Sequence, residues 1–464
     1  MRKIKRVVSV LLMMAVVAGG CSSCGITKKT TNGKVAITVG GWPATEGSSL
    51  DAMNKRKEGF EAENADIEIL PDTWSFDLQT FYPKAEAGML PNLYIAPYTE
   101  IDKLIDGDYV VDLTDSLKDA GWYELYNTKI RDLVSRDGKM YLVPNEAYVM
   151  GVAYNTEMFE KANLVETDGT PKQPKTWEEW AEFAVKIKEA TGKPGIVLCT
   201  TNNTGGWQFM NIAWSYGVDF MEQQSDGTWK ATFNTEEMVQ ALQFVKDLRW
   251  KYDVITSNIL VNQEEQQKVF ATGGAGMMIA APAAKAMANY EMNPEAYGML
   301  AIPAGPKKQV SLIGGNFRCL SNVDEKQIDA AVKWLDFIGI GYRFDDVAKE
   351  NMKKTMETYI SNNMAVGIRS MSIWNEDNER NVYNNQLIDE YYNMKPNAAK
   401  FYNESLNSET MEIQPEEPVC AQDLYGILDN CIQQVLNDEN SDCKKIIEKA
   451  NEDFQTNYLN NISF

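Results

Sequence analysis

The chain contains no histidine at all. Without histidine it has no Ser-His-Asp triad, no Cys-His pair, no His-ligated metal site and no imidazole general base. Any enzymatic chemistry would therefore fall to carboxylates, Lys, Tyr or Cys. The five cysteines from Cys199 onward form no CxxC spacing, so that part of the sequence offers no metal-binding or thiol-redox motif. We predict neither a cofactor nor a metal site nor a catalytic residue.

Basic residues are also scarce, with 45 Lys and Arg against 66 Asp and Glu and a formal net charge of -21. Nucleic-acid binding depends on clustered Lys and Arg against phosphate, so we predict no nucleic-acid partner. The acidic runs at 375–380 and 437–442 lack the glycine and spacing of a calcium loop and are predicted to be solvated surface. A length of 464 residues favours two domains.

The first 20 residues have the features of an export signal. Four basic residues within the first six precede an apolar core over 7–18, followed by small residues. Cys21 comes directly afterwards, as in a bacterial lipobox, although Ala18 stands where leucine is usual. We therefore expect residues 1–20 to be removed, Cys21 to be lipidated and residues 21–34 to form a tether. Ordinary secretion, with Cys21 as a bystander, is the alternative. We predict no other membrane span.

Strand-like and helix-like segments alternate over the first two thirds of the chain. Apolar runs at 35–39, 67–70 and 93–96 predict strands, and amphipathic stretches between them predict helices. This alternation is typical of an α/β sheet, in which ligands bind in the loops beyond the carboxyl ends of the strands. From 345 onward the sequence predicts helix almost throughout, with loops near Trp374 and over 414–418.

Two stretches combine strand character with a polar break. The stretch from Asp137 to Asn155 has apolar runs on either side of Pro144, and 310–320 has apolar runs around Gly314, Gly315 and Asn316. Proline interrupts a central ladder. The pattern therefore favours a chain that leaves one sheet, passes a ligand cleft and enters another, and we interpret both stretches as inter-domain crossovers.

Five motifs follow one another along the chain: GKMYLVPNEAYVMGVAYN, PKTWEEW, VFATGGAGMMI, YGMLAIPAGP and IGGNF. In this order they resemble the family 1 bacterial extracellular solute-binding proteins, the carbohydrate-binding subunits of ABC importers that include the maltose-binding protein type. The resemblance covers residues 35 to about 340, and the helical C-terminus matches in character alone. Asn92 stands where an aspartate is common, and 280–283 lacks an expected tryptophan; both departures bear on the ligand's identity.

The resemblance implies an α/β, two-lobed periplasmic-binding-protein-like fold of type II, or Venus flytrap, with the ligand cleft between the lobes and a helical C-terminus. Lobe 1 would comprise 35–148 and 313–345, and lobe 2 would comprise 149–312 and 346–464, closing by a hinge motion. It also implies a monomeric, non-catalytic lipoprotein on the outer face of the bacterial cell membrane. That protein would deliver a carbohydrate, expected to be an oligosaccharide, to ABC permease subunits.

A sugar needs directed partners for its hydroxyl groups and aromatic rings for its C–H faces. Candidate side chains lie in loops at strand ends and at the two crossovers. They are Trp42, Glu46, Trp74, Tyr98, Asn145, Glu146, Tyr148, Trp207, Asn316, Arg318 and Trp374. Tryptophans at helical spacing (Trp177, Trp180 and Trp334) are instead predicted to be core.

Three alternatives stay open at this point. An exported glycoside hydrolase could work through two carboxylates, although no motif places such a pair. A surface scaffold or adhesin is another function class, but it would leave the two crossovers unexplained. A Cys420–Cys431 disulfide is compatible with export, although the helical spacing of the two residues separates them.

Overall fold

The computed structural model describes residues 33–462, so the predictions about the export signal and Cys21 lie outside the described residues. The first lobe has the predicted alternation, and β1 lies between two parallel neighbours. Its elements are β1 (Val35–Val39), α1 (Ser48–Glu63), β2 (Ile67–Pro71), α2 (Leu78–Glu86), β3 (Leu93–Pro97), α3 (Ile101–Asp106), α4 (Thr114–Asp119), α5 (Thr128–Leu133), β4 (Ser135–Arg136), β5 (Lys139–Met140) and β6 (Leu142–Val149).

The second lobe is built on a three-stranded sheet whose central strand, β7, pairs antiparallel with β10 and β11. Its elements are β7 (Gly151–Asn155), α6 (Thr156–Lys161), α7 (Trp177–Thr191), α8 (Thr204–Tyr216), β8 (Met221–Gln223), β9 (Trp229–Ala231), α9 (Glu236–Trp250), α10 (Gln263–Ala271), β10 (Met277–Ala280), α11 (Ala284–Asn289) and β11 (Tyr297–Ala301). Every residue of the three paired strands is buried, so the sheet carries no polar face.

The chain then returns to the first lobe and ends in helices. Its last elements are β12 (Gln309–Leu320), α12 (Glu325–Phe337), α13 (Asp346–Ser361), α14 (Glu379–Glu390), α15 (Lys400–Ser405), β13 (Met411–Gln414), α16 (Ala421–Asn437) and α17 (Cys443–Asn457). The prediction of helix and loop around β13 was wrong, because β13 pairs in parallel with 309–312 of β12. This pairing joins segments about a hundred residues apart, which no local pattern can indicate.

The two crossover stretches pair with each other as antiparallel strands, with 142–149 of β6 against 313–319 of β12. The expected break at Pro144 does not occur, since β6 continues through it opposite Phe317. The register shifts instead between Asn316 and Phe317, so that Asn316 faces Glu146 and Asn145 has no partner residue. The irregularity is therefore a β-bulge, which bends the strand and redirects its side chains.

Two local predictions can be compared with these elements. Trp177, Trp180 and Trp334 are fully buried, which confirms their assignment to the core. The polar, glycine-rich stretch 200–208 has the composition of a loop, but α8 begins within it at Thr204. Gly205 and Gly206 lie in the first turn of α8, where other segments pack so closely that an added Cβ would clash.

The C-terminal helices divide into two groups. α16 packs against α8 and α9 of the second lobe. The hairpin of α13 and α14 has a small hydrophobic core of its own, formed by Met356, Val366, Leu387 and Ile388. Cys420 and Cys431 are free thiols. Within residues 33–462 no helix is long and apolar enough to cross a membrane, and no group of acidic or cysteine side chains is arranged to hold a metal ion.

Candidate functional site

The bulge between the crossing strands brings three predicted site residues together. Asn145 Nδ2 donates to Asn316 Oδ1 at 2.5 Å, and Asn316 Nδ2 donates to the carboxylate of Glu146. The Glu146 side chain is exposed, while the two asparagines are half-buried. The crossing therefore presents a fixed row of amide and carboxylate groups toward solvent.

Two buried donors beside this row lack a hydrogen-bond partner within residues 33–462. Tyr98 is 2% exposed, with its ring 5.6 Å from that of Phe317, and its hydroxyl has no partner. Arg318 Nε is likewise buried and unpaired. Burial raises the pKa of Tyr98, and Glu146 raises it further; burial lowers the pKa of Arg318 to about 10. Unpaired buried donors are costly, so both are groups that a bound hydroxyl would stabilise.

Glu416 reaches the same region from the segment that follows β13. It accepts a hydrogen bond from the Tyr425 hydroxyl at 3.0 Å, and the side chain of Trp207 lies near enough to lower its pKa. Burial raises the pKa of Glu416 to about 7. Sequence reasoning missed this residue because it missed β13, although the Glu-Glu-Pro break at 416–418 was a signal.

Aromatic side chains flank the carboxylates. Tyr148 lies against Gly314, where a Cβ would come within 2.5 Å of the phenol ring. Burial raises the pKa of Tyr148 to about 12, and the charges of Glu416 and Glu146 contribute to the rise, which places the phenol near both. Trp207, in the first turn of α8, is half-buried and lies near Glu416. Seven of the predicted residues thus lie with Glu416 near the strand crossing.

An open cleft of about 260 Å³ lies between the first lobe and the segment that carries Glu416. Its lining residues are Tyr98, Thr99, Ile101, Asp102, Lys129, Asp132, Leu133, Arg136, Pro415 and Glu416. Arg136 is already paired, since its guanidinium donates to Asp102 and lies 3.8 Å from Asp106. The cleft is therefore lined by hydrogen-bond donors and acceptors and by side chains of both positive and negative charge.

Two predicted tryptophans are placed away from this cleft. Trp42 is 3% exposed and stacks 6.3 Å from Trp334 of α12. Trp374 is 5% exposed and stacks 4.6 Å from Tyr126. Both rings are packed in the hydrophobic core, because distant segments cover positions that look like open loops in the sequence.

The two remaining candidates also lie apart from the strand crossing. Trp74 is half-buried, packs edge-on to Tyr94 at 5.7 Å, and donates through Nε1 to Thr80 Oγ1 at 3.0 Å. Glu46 is an exposed residue of the loop after β1. We therefore leave Trp42, Glu46, Trp74 and Trp374 out of the proposed site.

The pair Glu416 and Glu417 gives the fold a testable pH dependence. Burial raises the pKa of each from 4.5 to about 7, so between these pH values the folded chain keeps protons that the unfolded chain loses. The free energy of unfolding should therefore fall as pH rises from about 4.5 to about 7, by roughly 3 kcal/mol for a fully shifted carboxyl. Urea denaturation of the wild type and of Glu416→Gln/Glu417→Gln at pH 5 and pH 8 measures this.

The double variant should show a much smaller fall than the wild type. Glu409→Gln serves as the control, because Glu409 is exposed on the loop before β13, and it should keep the wild-type pH dependence. An equal fall in the double variant and the wild type would contradict the assignment to these two carboxyls.

Two lobes joined by paired crossing strands, with polar and aromatic side chains converging between them, define a two-lobed solute-binding protein. The family model for "Bacterial extracellular solute-binding protein" matches residues 41–339, and the chain belongs to this family. The chain is 24% identical over 325 residues to the sn-glycerol-3-phosphate-binding periplasmic protein UgpB of Escherichia coli O1:K1, covering 66% of this chain and 71% of that protein.

Solved structures show the same fold. The substrate-binding protein Lmo0181 of Listeria monocytogenes, in complex with cycloalternan, superimposes with a TM-score of 0.62 at 19% identity over 91% of this chain and 99% of that chain. Maltose-bound MalE3 of T. maritima gives a TM-score of 0.61 at 20% identity over the same shares. The predicted family and the two-lobed fold class are confirmed.

Proposed function

We propose that the protein is the receptor subunit of an ABC importer and binds a neutral carbohydrate, an oligosaccharide, in the cleft between its lobes. The observation that carries the proposal is the pair of buried, unpartnered donors, Tyr98 and Arg318, beside aromatic rings and carboxylates. Sugar hydroxyls would satisfy the donors, and sugar C–H faces would pack on Tyr148 and Trp207. Asn145, Glu146, Asn316 and Glu416 complete the proposed site.

The charge around the cleft supports a neutral ligand over a phosphate ester. Asp102, Asp132 and Glu416 line it against Lys129 and Arg136, and Arg136 is already bonded to Asp102. A bound phosphate would face more carboxylate than free cation, and the resulting repulsion disfavours it. A titration should separate two ligand classes. One is the phosphate ester, as in the relative that binds sn-glycerol-3-phosphate. The other is the neutral saccharide, as in the structures solved with cycloalternan and maltose.

The remaining features of the proposal come from the sequence. The family is extracellular, and the basic residues, apolar core and Cys21 of the first 21 residues support a lipid anchor on the outer face of the cell membrane. We place the lobe boundaries at 148 and 313, where the crossing strands pair, and take the protein to be a monomer. Delivery to the permease would follow hinge closure of the lobes around the ligand.

A second candidate function is favoured by one observation. Glu146 and Glu416 both influence the Tyr148 phenol, and a pair of carboxylates flanking a sugar is the machinery of glycoside hydrolases. We nevertheless expect binding without turnover, because the family consists of binding proteins.

Calorimetric titration with neutral oligosaccharides and with sn-glycerol-3-phosphate tests the proposal. The expected result is saturable, single-site binding of one oligosaccharide class and no heat with the phosphate ester. Chromatography of the same samples after prolonged incubation should show the oligosaccharide intact. Release of shorter sugars would establish the hydrolase, and binding of the phosphate ester in place of sugars would overturn the ligand class.

A further inference from the structure

A second cavity lies outside the inter-lobe cleft, between the α13–α14 hairpin and the body of the protein. Its volume is about 180 Å³, and it shares no lining residue with the cleft. α5 contributes to both, because Asn127 at its N-cap lines the second cavity while Lys129 and Asp132 line the cleft. The two are therefore neighbouring but separate spaces.

The lining of this cavity is dominated by side-chain amides. Five asparagines from four segments face it: Asn127, Asn381, Asn385, Asn403 and Asn407. Both polar atoms of the Asn403 side chain are already hydrogen-bonded, since its Oδ1 accepts from the Arg369 backbone amide and its Nδ2 donates to the Gly367 carbonyl, both at 2.9 Å. The side chains of Asn385 and Asn407 make no hydrogen bond within residues 33–462, so their donors and acceptors are available.

Arg369 adds one directed donor. Its Nη2 is committed to both carboxylate oxygens of Asp389, at 3.1 and 3.2 Å, so its charge is balanced. Its Nε is buried and has no hydrogen-bond partner in the described part of the chain. Met371 and Leu406, both buried, form an apolar part of the wall. The cavity thus combines unpaired amides, one unpaired guanidinium N–H, the carboxylate of Glu376 and an apolar surface, with no excess of positive charge.

These features define the ligand's chemistry. An amide both donates and accepts, and so matches hydroxyl groups that do the same. The balanced charge of Arg369 and the carboxylate of Glu376 disfavour an anion, and the volume is below the roughly 300–1,000 Å³ of pockets that enclose drug-sized ligands. We propose that this cavity is a second saccharide site, taking one neutral hexopyranose ring independently of the inter-lobe cleft.

The proposal can be tested by NMR on the whole protein with ¹⁵N-labelled asparagine. Methyl α-glucopyranoside and methyl α-galactopyranoside are titrated while the side-chain amide signals of Asn385 and Asn407 are followed. Saturable shifts of these signals with at least one glycoside are expected. Asn381→Ala/Asn385→Ala should weaken binding at least about tenfold, since two direct partners are removed.

Matched variants separate this site from the fold and from the cleft. Asn384→Ala alters the neighbouring residue of α14, which does not line the cavity, and should leave the dissociation constant within about twofold. Asn407→Ala, at an exposed position on the opposite wall, should weaken binding even if the double variant folds poorly. Trp207→Ala should leave these shifts unchanged, so the result is independent of the inter-lobe cleft. No saturable shift with either glycoside, shifts that survive Asn407→Ala, or shifts with sodium sulfate alone would overturn the proposal.

Discussion

Replacing Trp207 with alanine is expected to weaken oligosaccharide binding by about 100-fold, or about 2.7 kcal/mol. Trp207 is half-buried in the first turn of α8, and its side chain lies near Glu416. The substitution removes the stacking surface for a sugar ring and also removes the indole N–H from the neighbourhood of the Glu416 carboxyl. Isothermal titration calorimetry of the variant and the wild type measures the difference.

Two further variants separate the contributions of Trp207. Trp207→Phe keeps an aromatic face but removes the N–H, and should lose about tenfold. Trp229→Ala is the matched control, because Trp229 is also half-buried but lies in the β8–β9 hairpin; it should bind as the wild type does. Equal affinities of Trp207→Ala and Trp229→Ala would remove Trp207 from the site.

Replacing Gly315 with alanine is expected to lower the free energy of unfolding by about 3 kcal/mol. Gly315 has φ +147 and lies in the crossing strand, where an added Cβ would clash with the backbone carbonyl of Glu146 and come within 3.0 Å of the Tyr98 ring. The strands must separate to admit it, so the row of Asn145, Glu146 and Asn316 should also be displaced. Urea denaturation measures the first effect, and calorimetric titration should show weaker sugar binding.

Gly169→Ala is the control that measures how much unfolding free energy is lost through backbone strain without a clash. Gly169 has φ +82 and no neighbouring atom within 4 Å of an added Cβ, so it should lose about 1–2 kcal/mol through backbone strain alone and keep wild-type affinity. If Gly315→Ala and Gly169→Ala lose the same free energy of unfolding, the strand crossing tolerates the extra atom. The bulge would then not be what holds the site in place.

The sequence predicts the elements whose formation depends on residues within the same segment. The strands and helices of the first lobe follow from hydrophobic periodicity, and the crossovers from apolar runs interrupted by proline or by glycine and asparagine. The proposed site follows partly from the sequence for the same reason. Tyr98 follows β3 directly, and Asn145, Glu146, Tyr148, Asn316 and Arg318 lie in the crossing strands themselves.

The departures from the sequence predictions involve contacts between distant segments. β13 contains four residues, of which only Met411 is buried, and it forms by pairing with β12; Glu416 depends on that pairing. Trp42 looks like a ligand-stacking residue because it follows Gly40 and Gly41, yet α12, almost 300 residues later, covers it. Local patterns describe a residue's own segment but not the segment that packs over it.

A crystal structure of the protein grown with the oligosaccharide that it binds most tightly tests the central claim most directly. We expect a sugar between the lobes, with hydroxyl oxygens within hydrogen-bonding distance of the Tyr98 hydroxyl and of Arg318 Nε, and with rings packed on Tyr148 and Trp207. A sugar bound elsewhere while those two donors still lack a partner would contradict it.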